Sequence, residues 1–383
     1  MGSAVKNRQS EEIGRNRVAV AMSGGVDSSA AAGLLVREGY DVVGLTMKLF
    51  DYRAGEALPD LQRRCCNVEG LQRAETVCRS LNIPHYSIDL RAEFKYYIIQ
   101  DFISEYIEGR TPNPCVRCNT YLKWGSLFEQ AQALGCDRLA TGHYARLQQI
   151  GDEFHLLRAS DRGKDQVYAL WGIPADKLPR TLFPLGSITK RRVRQIAADL
   201  GLESAQTPES QEICFIPDGH YSDFLITHRP DVFGSMERGE LLEEGVGNLR
   251  PVGRHPGYPF YTVGQRQGLG GGYDEARYVL RVESETNRVI IGKKAQLFEK
   301  DFLVDQLNWL IPMPVGPIRA DVQVRYRSRA APASISPGNS GSRFMVQFDE
   351  PVEAIAPGQS AVFFQGERLI GGGRIIKVLH RAR

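Results

Sequence analysis

The chain has 383 residues, 42% apolar and 24% charged, an ordinary globular composition that predicts two or three domains, each with its own core. No apolar run is long enough to span a bilayer, and the polar opening "MGSAVKNRQSEEIGRN" lacks a signal-peptide core, which argues against membrane insertion or secretion. Seven unevenly spaced cysteines without a secretory signal point to a reducing compartment, the cytoplasm, rather than to a disulfide framework.

Residues 1–16 read as a flexible extension. From Arg17 to about Leu202 strand-like and helix-like runs alternate. "RVAVAM", "DVVGLTMKL", "HYSIDL" and "RLATGHYA" read as strands; "VDSSAAAGLLVREGY", "EGLQRAETVCRSLNI" and "AEFKYYIIQDFISEYIEGR" read as helices. This βαβα order predicts an α/β domain over residues 17–210, with a mostly parallel sheet and ligands at the carboxyl ends of its strands. Beyond residue 210 the helical periodicity gives way to short strands with Gly and Pro punctuation, which predicts a small central β-rich domain over 211–280. The alternating runs "RYVLRVE", "RVIIG", "IRADVQVRYRS", "SRFMVQFDE", "AVFFQG" and "RIIKVL" predict a C-terminal β-barrel over 281–383. Charge is uneven along this order. The net charge is +3, but residues 314–383 carry ten Arg and Lys against five Asp and Glu, a local excess that suits a polyanion partner and equally a solvated basic face.

"VAVAMSGGVDSS" is a strand, a Ser-Gly-Gly turn and a helix start. Backbone amides at such a turn, backed by a helix N-terminus, make a phosphate cradle. No Gly-Lys-Ser/Thr follows, so the loop is not a Walker A, and it does not have the dinucleotide-binding glycine spacing. Ser23 and Ser28 add hydroxyl donors, and Asp27 is placed to hold a magnesium ion. In "TPNPCVRCN", residues 111–119, two cysteines sit three apart, a pattern open to a metal clip, a redox couple or a catalytic thiol.

"SGGVDSS" resembles the PP-loop of ATP pyrophosphatases. Together with "GLTMK", "GRTPNPCVRCN", "ATGHYAR", "KDQVYAL", "ICFIPDG", "YTVGQRQGLG" and "PGQSAVFF", in that order, the chain from about residue 17 to its end closely resembles the bacterial tRNA-specific 2-thiouridylases. The resemblance implies a reaction in which ATP adenylates O2 of the wobble uridine in the anticodon loop of certain tRNAs. Sulfur from a protein persulfide then replaces that oxygen. It implies a sulfur-donor protein as partner, a cysteine desulfurase or a sulfur-relay carrier. By position, Ala21, Met22, Ser23, Gly24, Gly25, Val26, Asp27 and Ser28 would hold the ATP phosphates, and Met47 and Gly142 would line the adenosine pocket. Without the family, Met47 reads as a core strand residue and Gly142 as a turn glycine.

The same resemblance makes Cys118 the nucleophile and Cys214 the persulfide carrier, both in turn-like segments. The adjacent Arg117 would lower the thiol pKa of Cys118. Cys115 departs from the pattern, since many thiouridylases have aspartate there; the thiol would serve as an acid or base. As an alternative, Cys115, Cys118 and Cys214 together would hold an iron–sulfur cluster carrying sulfide. Zinc lacks a second matching cysteine pair. Vicinal Cys65 and Cys66 have no assigned role, and Cys78 and Cys136 read as small core residues.

The tRNA contacts implied by the resemblance are Asn113, Pro114 and Cys115 at the target base, then His143, Lys164, Asp165 and Gln166, and, from the barrel, Arg325, Tyr326 and Gln359. Arg-Tyr in "VRYRS" suits phosphate pairing plus stacking. "TKRRVRQIAADLG" reads as a helix with a solvated basic face. Two other readings compete. An amide-forming PP-loop synthetase shares the ATP chemistry but has no use for Cys118 and Cys214. A non-catalytic RNA-binding module has no use for the phosphate loop.

Overall fold

The computed structural model describes residues 17–50, 68–202, 213–216, 220–338 and 342–380. The extension 1–16, the vicinal pair Cys65 and Cys66, and Pro217 to Gly219 lie outside the described residues. The chain divides into two compact units. One comprises 1–98, 115–219 and 367–369, and the other 99–114, 220–366 and 370–383.

The first unit is built on a five-stranded parallel sheet, ordered β3-β2-β1-β4-β7, from β1 (Arg17–Ala21), β2 (Asp41–Lys48), β3 (His85–Asp89), β4 (Arg138–Ala140) and β7 (Thr181–Leu182). Val18, Ala19 and Val20 on β1 are all fully buried, as expected of a parallel strand covered on both faces. Helix α1 (Val26–Arg37) and helix α2 (Val68–Ser80) follow β1 and β2. Cys78 on α2 is fully buried against Gly44 of β2, where a Cβ would come within 2.4 Å of its sulfur. Burial pushes this thiol up to about 12, so it is inert core filler, and Cys136 is likewise buried.

The predicted long helix after β3 is present but not uniform. A turn α3 (Arg91–Phe94) passes through a π-wound stretch, Lys95–Gln100, into α4 (Asp101–Ile107). The chain leaves the first unit inside this stretch and returns at Cys115. There, the segment expected to be turn-like is helical. Pro114 opens α5 (Pro114–Arg117), which runs into a second π-wound stretch, Cys118–Leu127, and then α6 (Phe128–Ala133). Proline suits the first helical position because its missing N–H would be unpaired there anyway. The strand predicted for "RLATGHYA" stops at Ala140. Thr141 to His143 leave the sheet before the chain enters an antiparallel hairpin, β5 (Ala145–Ile150) and β6 (Glu153–Arg158), which the sequence did not reveal. Helix α7 (Lys190–Asp199) is capped by Thr189, whose side chain accepts from the Arg192 amide, and it buries Lys190, Val193, Ile196 and Ala197.

The second unit contains helix α8 (Tyr221–His228) and two sheets. A four-stranded sheet ordered β10-β11-β8-β9 comprises β8 (Gly239–Glu244), β9 (Leu249–His255), β10 (Tyr278–Glu283) and β11 (Arg288–Gly292). The domain boundary placed at 280/281 therefore falls inside β10. The C-terminal strands β12 (Phe298–Trp309), β13 (Ile318–Gln323), β14 (Ala331–Pro337), β15 (Phe344–Glu353), β16 (Ser360–Gln365) and β17 (Arg368–Val378) follow the order β12-β15-β14-β13-β16-β17. The ring is closed by antiparallel pairing of β17 with β12, so these strands have no open edge. Phe302, Phe344, Phe348 and Phe363 fill its interior. Within the same unit, Arg374 of β17 reaches α4, 3.0 Å from Asp101 and 2.8 Å from Glu105.

No helix among the described residues is long and apolar enough to cross a membrane.

Candidate active site

Strand β1 pairs with β2 on one side and β4 on the other, so the sheet's switch point lies at its carboxyl end. The loop after β1 meets the loop after β4 there. Gly24 has a φ of +73°, and a Cβ on it would lie 2.2 Å from the Gly70 carbonyl oxygen, so the position accepts only glycine. Gly142 is constrained differently. A Cβ there would lie 2.7 Å from Asp27 C and Ser28 N, so this glycine lets the backbone after β4 press on the start of α1. The loop is braced from inside: Ser28 Oγ donates to the Gly25 carbonyl (3.1 Å) and accepts from the Ser23 amide (3.2 Å). Ser29 Oγ donates to the same carbonyl (2.9 Å). Ala21 ends β1, Met22 and Val26 are buried beside the loop, and Met47 is half-buried near the end of β2.

Asp27 does not stand ready for a metal ion. Lys190 Nζ lies 2.7 and 2.8 Å from its two carboxylate oxygens, and the Tyr144 hydroxyl donates to it at 2.8 Å. Both oxygens are already engaged, and as arranged the carboxylate does not fit the magnesium role. The lysine that the sequence reading left on a solvated basic face is buried at the head of α7. The signal available for it was its place three residues before Val193, in helical register with the buried stripe Val193, Ile196 and Ala197, and nothing local named Asp27 as its partner.

The cysteine helix reaches the same region through Lys123 in its π-wound stretch. Lys123 Nζ donates to His143 Nε2 at 3.3 Å, which leaves Nδ1–H to donate to Thr141 Oγ1 at 2.8 Å. Burial, with the Lys123 charge adding to it, holds His143 well below its ordinary pKa, so the ring is neutral. Cys115 and Cys118 lie three apart on this helix and so face the same side. Cys115 keeps access to solvent, yet the protein packed around it pushes its thiol up, against the pull of Lys123. Asn119 is buried and donates from Nδ2 to the Ala169 carbonyl at 2.9 Å, which fixes the turn after Cys118. Arg117, expected to acidify Cys118, has its guanidinium 4.7 Å from the Tyr121 ring centroid and donates from Nε to the Tyr97 carbonyl at 2.9 Å. Cys214 is half-buried in a short turn anchored by Phe215, whose ring packs edge-on against Phe94 at 5.7 Å, and by buried Ile216. Among the described residues no three His, Cys, Asp or Glu side chains converge on a common point. Cys115, Cys118 and Cys214, as arranged, are therefore not a ligand set for an iron–sulfur cluster.

Several expected RNA contacts are engaged inside their own units. Asp165 accepts from the Ala159 amide and from Arg158, both at 2.9 Å. Gln166 clamps Tyr144, donating from its amide to the Tyr144 carbonyl and accepting through Oε1 from the Tyr144 amide. Lys164 beside them is partly exposed. In the second unit, Arg325 donates to the Ala354 carbonyl (2.8 Å) and to the Val263 carbonyl (2.6 Å), while Tyr326 next to it is 49% exposed. Gln359 Nε2 donates to the carbonyls of Thr111 (3.0 Å) and Pro112 (3.2 Å), and the Thr111 amide donates to the Pro357 carbonyl (2.8 Å). The "PGQ" turn thus grips the strand of chain that leads through Asn113 and Pro114 to Cys115.

Residues 16–218 match the family described as tRNA methyl transferase HUP domain, residues 233–293 the tRNA methyl transferase PRC-barrel domain, and residues 299–375 the aminomethyltransferase beta-barrel domain. The chain is 42% identical over 368 residues to the protein named tRNA-specific 2-thiouridylase MnmA of Heliobacterium modesticaldum, covering 95% of this chain and 94% of that one. The proteins of the same name from Geobacter metallireducens and Salinibacter ruber are 42% and 43% identical, each over 95% of this chain, with 98% and 95% of their own lengths covered. At that identity and that coverage, the chain belongs to the tRNA-specific 2-thiouridylase family.

Proposed function

We propose that this protein uses ATP to replace the 2-oxygen of the wobble uridine in tRNA by sulfur, releasing AMP and pyrophosphate. The observation that carries the reading is the junction of β1 and α1. There a loop whose Gly24 admits no side chain, pressed by Gly142, presents a helix N-terminus at the switch point of a parallel sheet, in the unit that also holds Cys118 and Cys214. The uridine O2 attacks the α-phosphorus of ATP and pyrophosphate leaves. The adenylated oxygen is then a good leaving group. Cys214 receives a sulfane sulfur from a donor protein, a cysteine desulfurase or relay carrier, and the terminal sulfur of that persulfide attacks C2. AMP departs with the former O2. Cys118 attacks the inner sulfur of Cys214, which releases the new C2=S and leaves a Cys118–Cys214 disulfide. The two electrons that turn sulfane sulfur into thiocarbonyl come from the two thiols, and a dithiol reductant of the reducing cytoplasm restores them. Lys190 supplies cationic charge at the phosphate loop. Asn113, Pro114 and Cys115 meet the target base, and the exposed turn at Tyr326 meets the tRNA.

The test is reconstitution with ATP, an unmodified tRNA transcript, a cysteine desulfurase and cysteine, reading 2-thiouridine by nucleoside mass spectrometry alongside AMP. Equimolar AMP and 2-thiouridine are expected, with no thiolation by Cys118→Ser or Cys214→Ser. Cys115→Asp should keep substantial thiolation in air without iron. Thiolation that survives loss of Cys214, or AMP formed without tRNA dependence, would overturn the reading.

A further inference from the structure

The nucleophile helix carries an aromatic cluster that the chemistry above leaves unused. The rings of Tyr97 and Tyr121 are stacked, 4.8 Å between centroids and 1° from parallel. Tyr96 meets Tyr97 edge-on at 4.9 Å. The Arg117 guanidinium lies over Tyr121 and is tethered through Nε to the Tyr97 carbonyl. All four residues belong to the first unit. They sit on the two π-wound stretches, Lys95–Gln100 and Cys118–Leu127, and on the turn that leads into the second. This cluster is not core: Tyr96 is 64% exposed and Tyr121 36%.

We infer that Tyr96, Tyr97, Tyr121 and Arg117 form a stacking platform for an unpaired RNA base next to the one being modified. Exposed tyrosines ordered by mutual stacking and by a guanidinium present flat π-surfaces of the kind on which bases of single-stranded RNA are received. The charge fits the same occupant. Arg117 lies over Tyr121, and exposed Lys95 immediately precedes Tyr96, whereas Glu93 on α3 is the one acid among the residues from Arg91 to Gln100. Position completes the case. Arg117 immediately precedes Cys118 and Tyr121 follows it by about one helical turn, so a base held here neighbours a uridine held for attack. A wobble uridine must leave its stack to react, and its neighbour then needs a new stacking partner, which the platform supplies. This inference rests on the tRNA-thiolation reading and adds where the flanking nucleotide goes.

The experiment uses the full chain with Tyr96→Ala, Tyr121→Ala and the matching Phe variants. Affinity for unmodified tRNA and for its isolated anticodon stem-loop is measured by fluorescence anisotropy at one salt concentration, and thiolation at saturating tRNA is measured in parallel. Loss of one base stack is worth roughly 1–3 kcal/mol, so each Ala variant should weaken both RNAs roughly 5- to 150-fold and raise the tRNA KM. The Phe variants, which keep the ring, should bind within about twofold of the parent, and kcat should hold throughout. ATP affinity, read on the same samples, reports that the fold is intact. Unchanged RNA affinity in folded Ala variants would overturn the inference. So would a loss confined to the sulfur-donor protein, which would make the cluster a protein-docking surface. A parent that binds tRNA but never thiolates it would instead sink the proposed function.

Discussion

Lys190 and Asp27 are far apart in sequence and meet at one carboxylate. The pair is only partly screened, with side-chain exposures of 11% and 31%, and it sits at the loop proposed to receive the triphosphate. Replacing Lys190 by Met keeps the aliphatic stem and removes the charge, leaving Asp27 as an uncompensated anion where further negative charge must bind. Breaking such a pair costs several kcal/mol when fully buried; the partial exposure here reduces that to about 1–2 kcal/mol of stability. AMP formation should fall by roughly tenfold or more, since 1.4 kcal/mol corresponds to a factor of ten. Thermal melting and AMP release on one preparation check both, and full AMP formation by Lys190→Met would remove the lysine from the site. His143 makes a pH prediction. Folded, its ring stays neutral because burial and Lys123 hold its pKa well below normal. Unfolded, it takes up a proton as pH falls through about 6.5. The unfolded state binds more protons in that window, so His143 contributes stability above about pH 6.5 that is lost as pH drops below it. His143→Gln should flatten the pH dependence of the urea midpoint between about pH 5 and 6.5, by at most roughly 1.4 kcal/mol per pH unit. An unchanged slope would show that the ring protonates in the fold.

At the scale of elements, periodicity located most of the first unit because each strand and helix there has a local cause. β1 is an unbroken apolar run, α1 starts at a Gly-Gly turn, and α2 has a clear apolar face. The errors also have causes. "RLATGHYA" keeps strand-like composition past Ala140, but Gly142 must leave the sheet to press on Asp27 and Ser28, and that demand comes from the other side of the switch point. The segment of Cys118 reads as turn-like, whereas Pro114 starts a helix that carries it. The site was legible as residue types and not as geometry. Cys118 and the loop serines stand out in the sequence as candidates, while the Lys190–Asp27 pair and the grip of Gln359 on Thr111 and Pro112 arise between positions that no local pattern links. Gly142→Ala tests the element-level claim. Its Cβ would stand 2.7 Å from backbone atoms of Asp27 and Ser28, which have no flexible side-chain end to yield. The α1 start should shift by a few tenths of an ångström, and the ATP KM should rise at least about tenfold with tRNA affinity unchanged, a loss of about 1.4 kcal/mol or more. Parent-like ATP kinetics in this variant would mean that the close approach is not needed for nucleotide binding.

For the whole molecule, the proposed hold on tRNA turns on where the positive charge lies. Among the described residues from 314 to 380, eight Arg and Lys stand against five Asp and Glu, on the strands from β13 to β17 and the turns between them. The turn after β13 contains Arg325, Tyr326, Arg327 and Arg329, and these arginines are not equivalent. Arg325 donates to two carbonyls, of Val263 and Ala354, so its charge holds the turn to its own unit. Arg327 and Arg329 are exposed, beside an exposed Tyr326. Phosphate contacts release counterions, and each one contributes nearly one unit to the slope of log affinity against log salt. Arg327→Ala and Arg329→Ala should each weaken tRNA binding and reduce that slope by about one, with stability within about 0.5 kcal/mol of the parent, as for other surface changes. Arg325→Ala should behave in the opposite way. It leaves two carbonyls without their donor, at about 1–3 kcal/mol each when buried, so the melting temperature should fall. Any loss of tRNA affinity should then come without a smaller salt slope, because the turn is displaced rather than a phosphate contact removed. Titrations of the three variants at several salt concentrations, paired with thermal melts, separate the two roles. A reduced salt slope with unchanged stability for Arg325→Ala would show instead that this arginine faces the RNA when tRNA is bound.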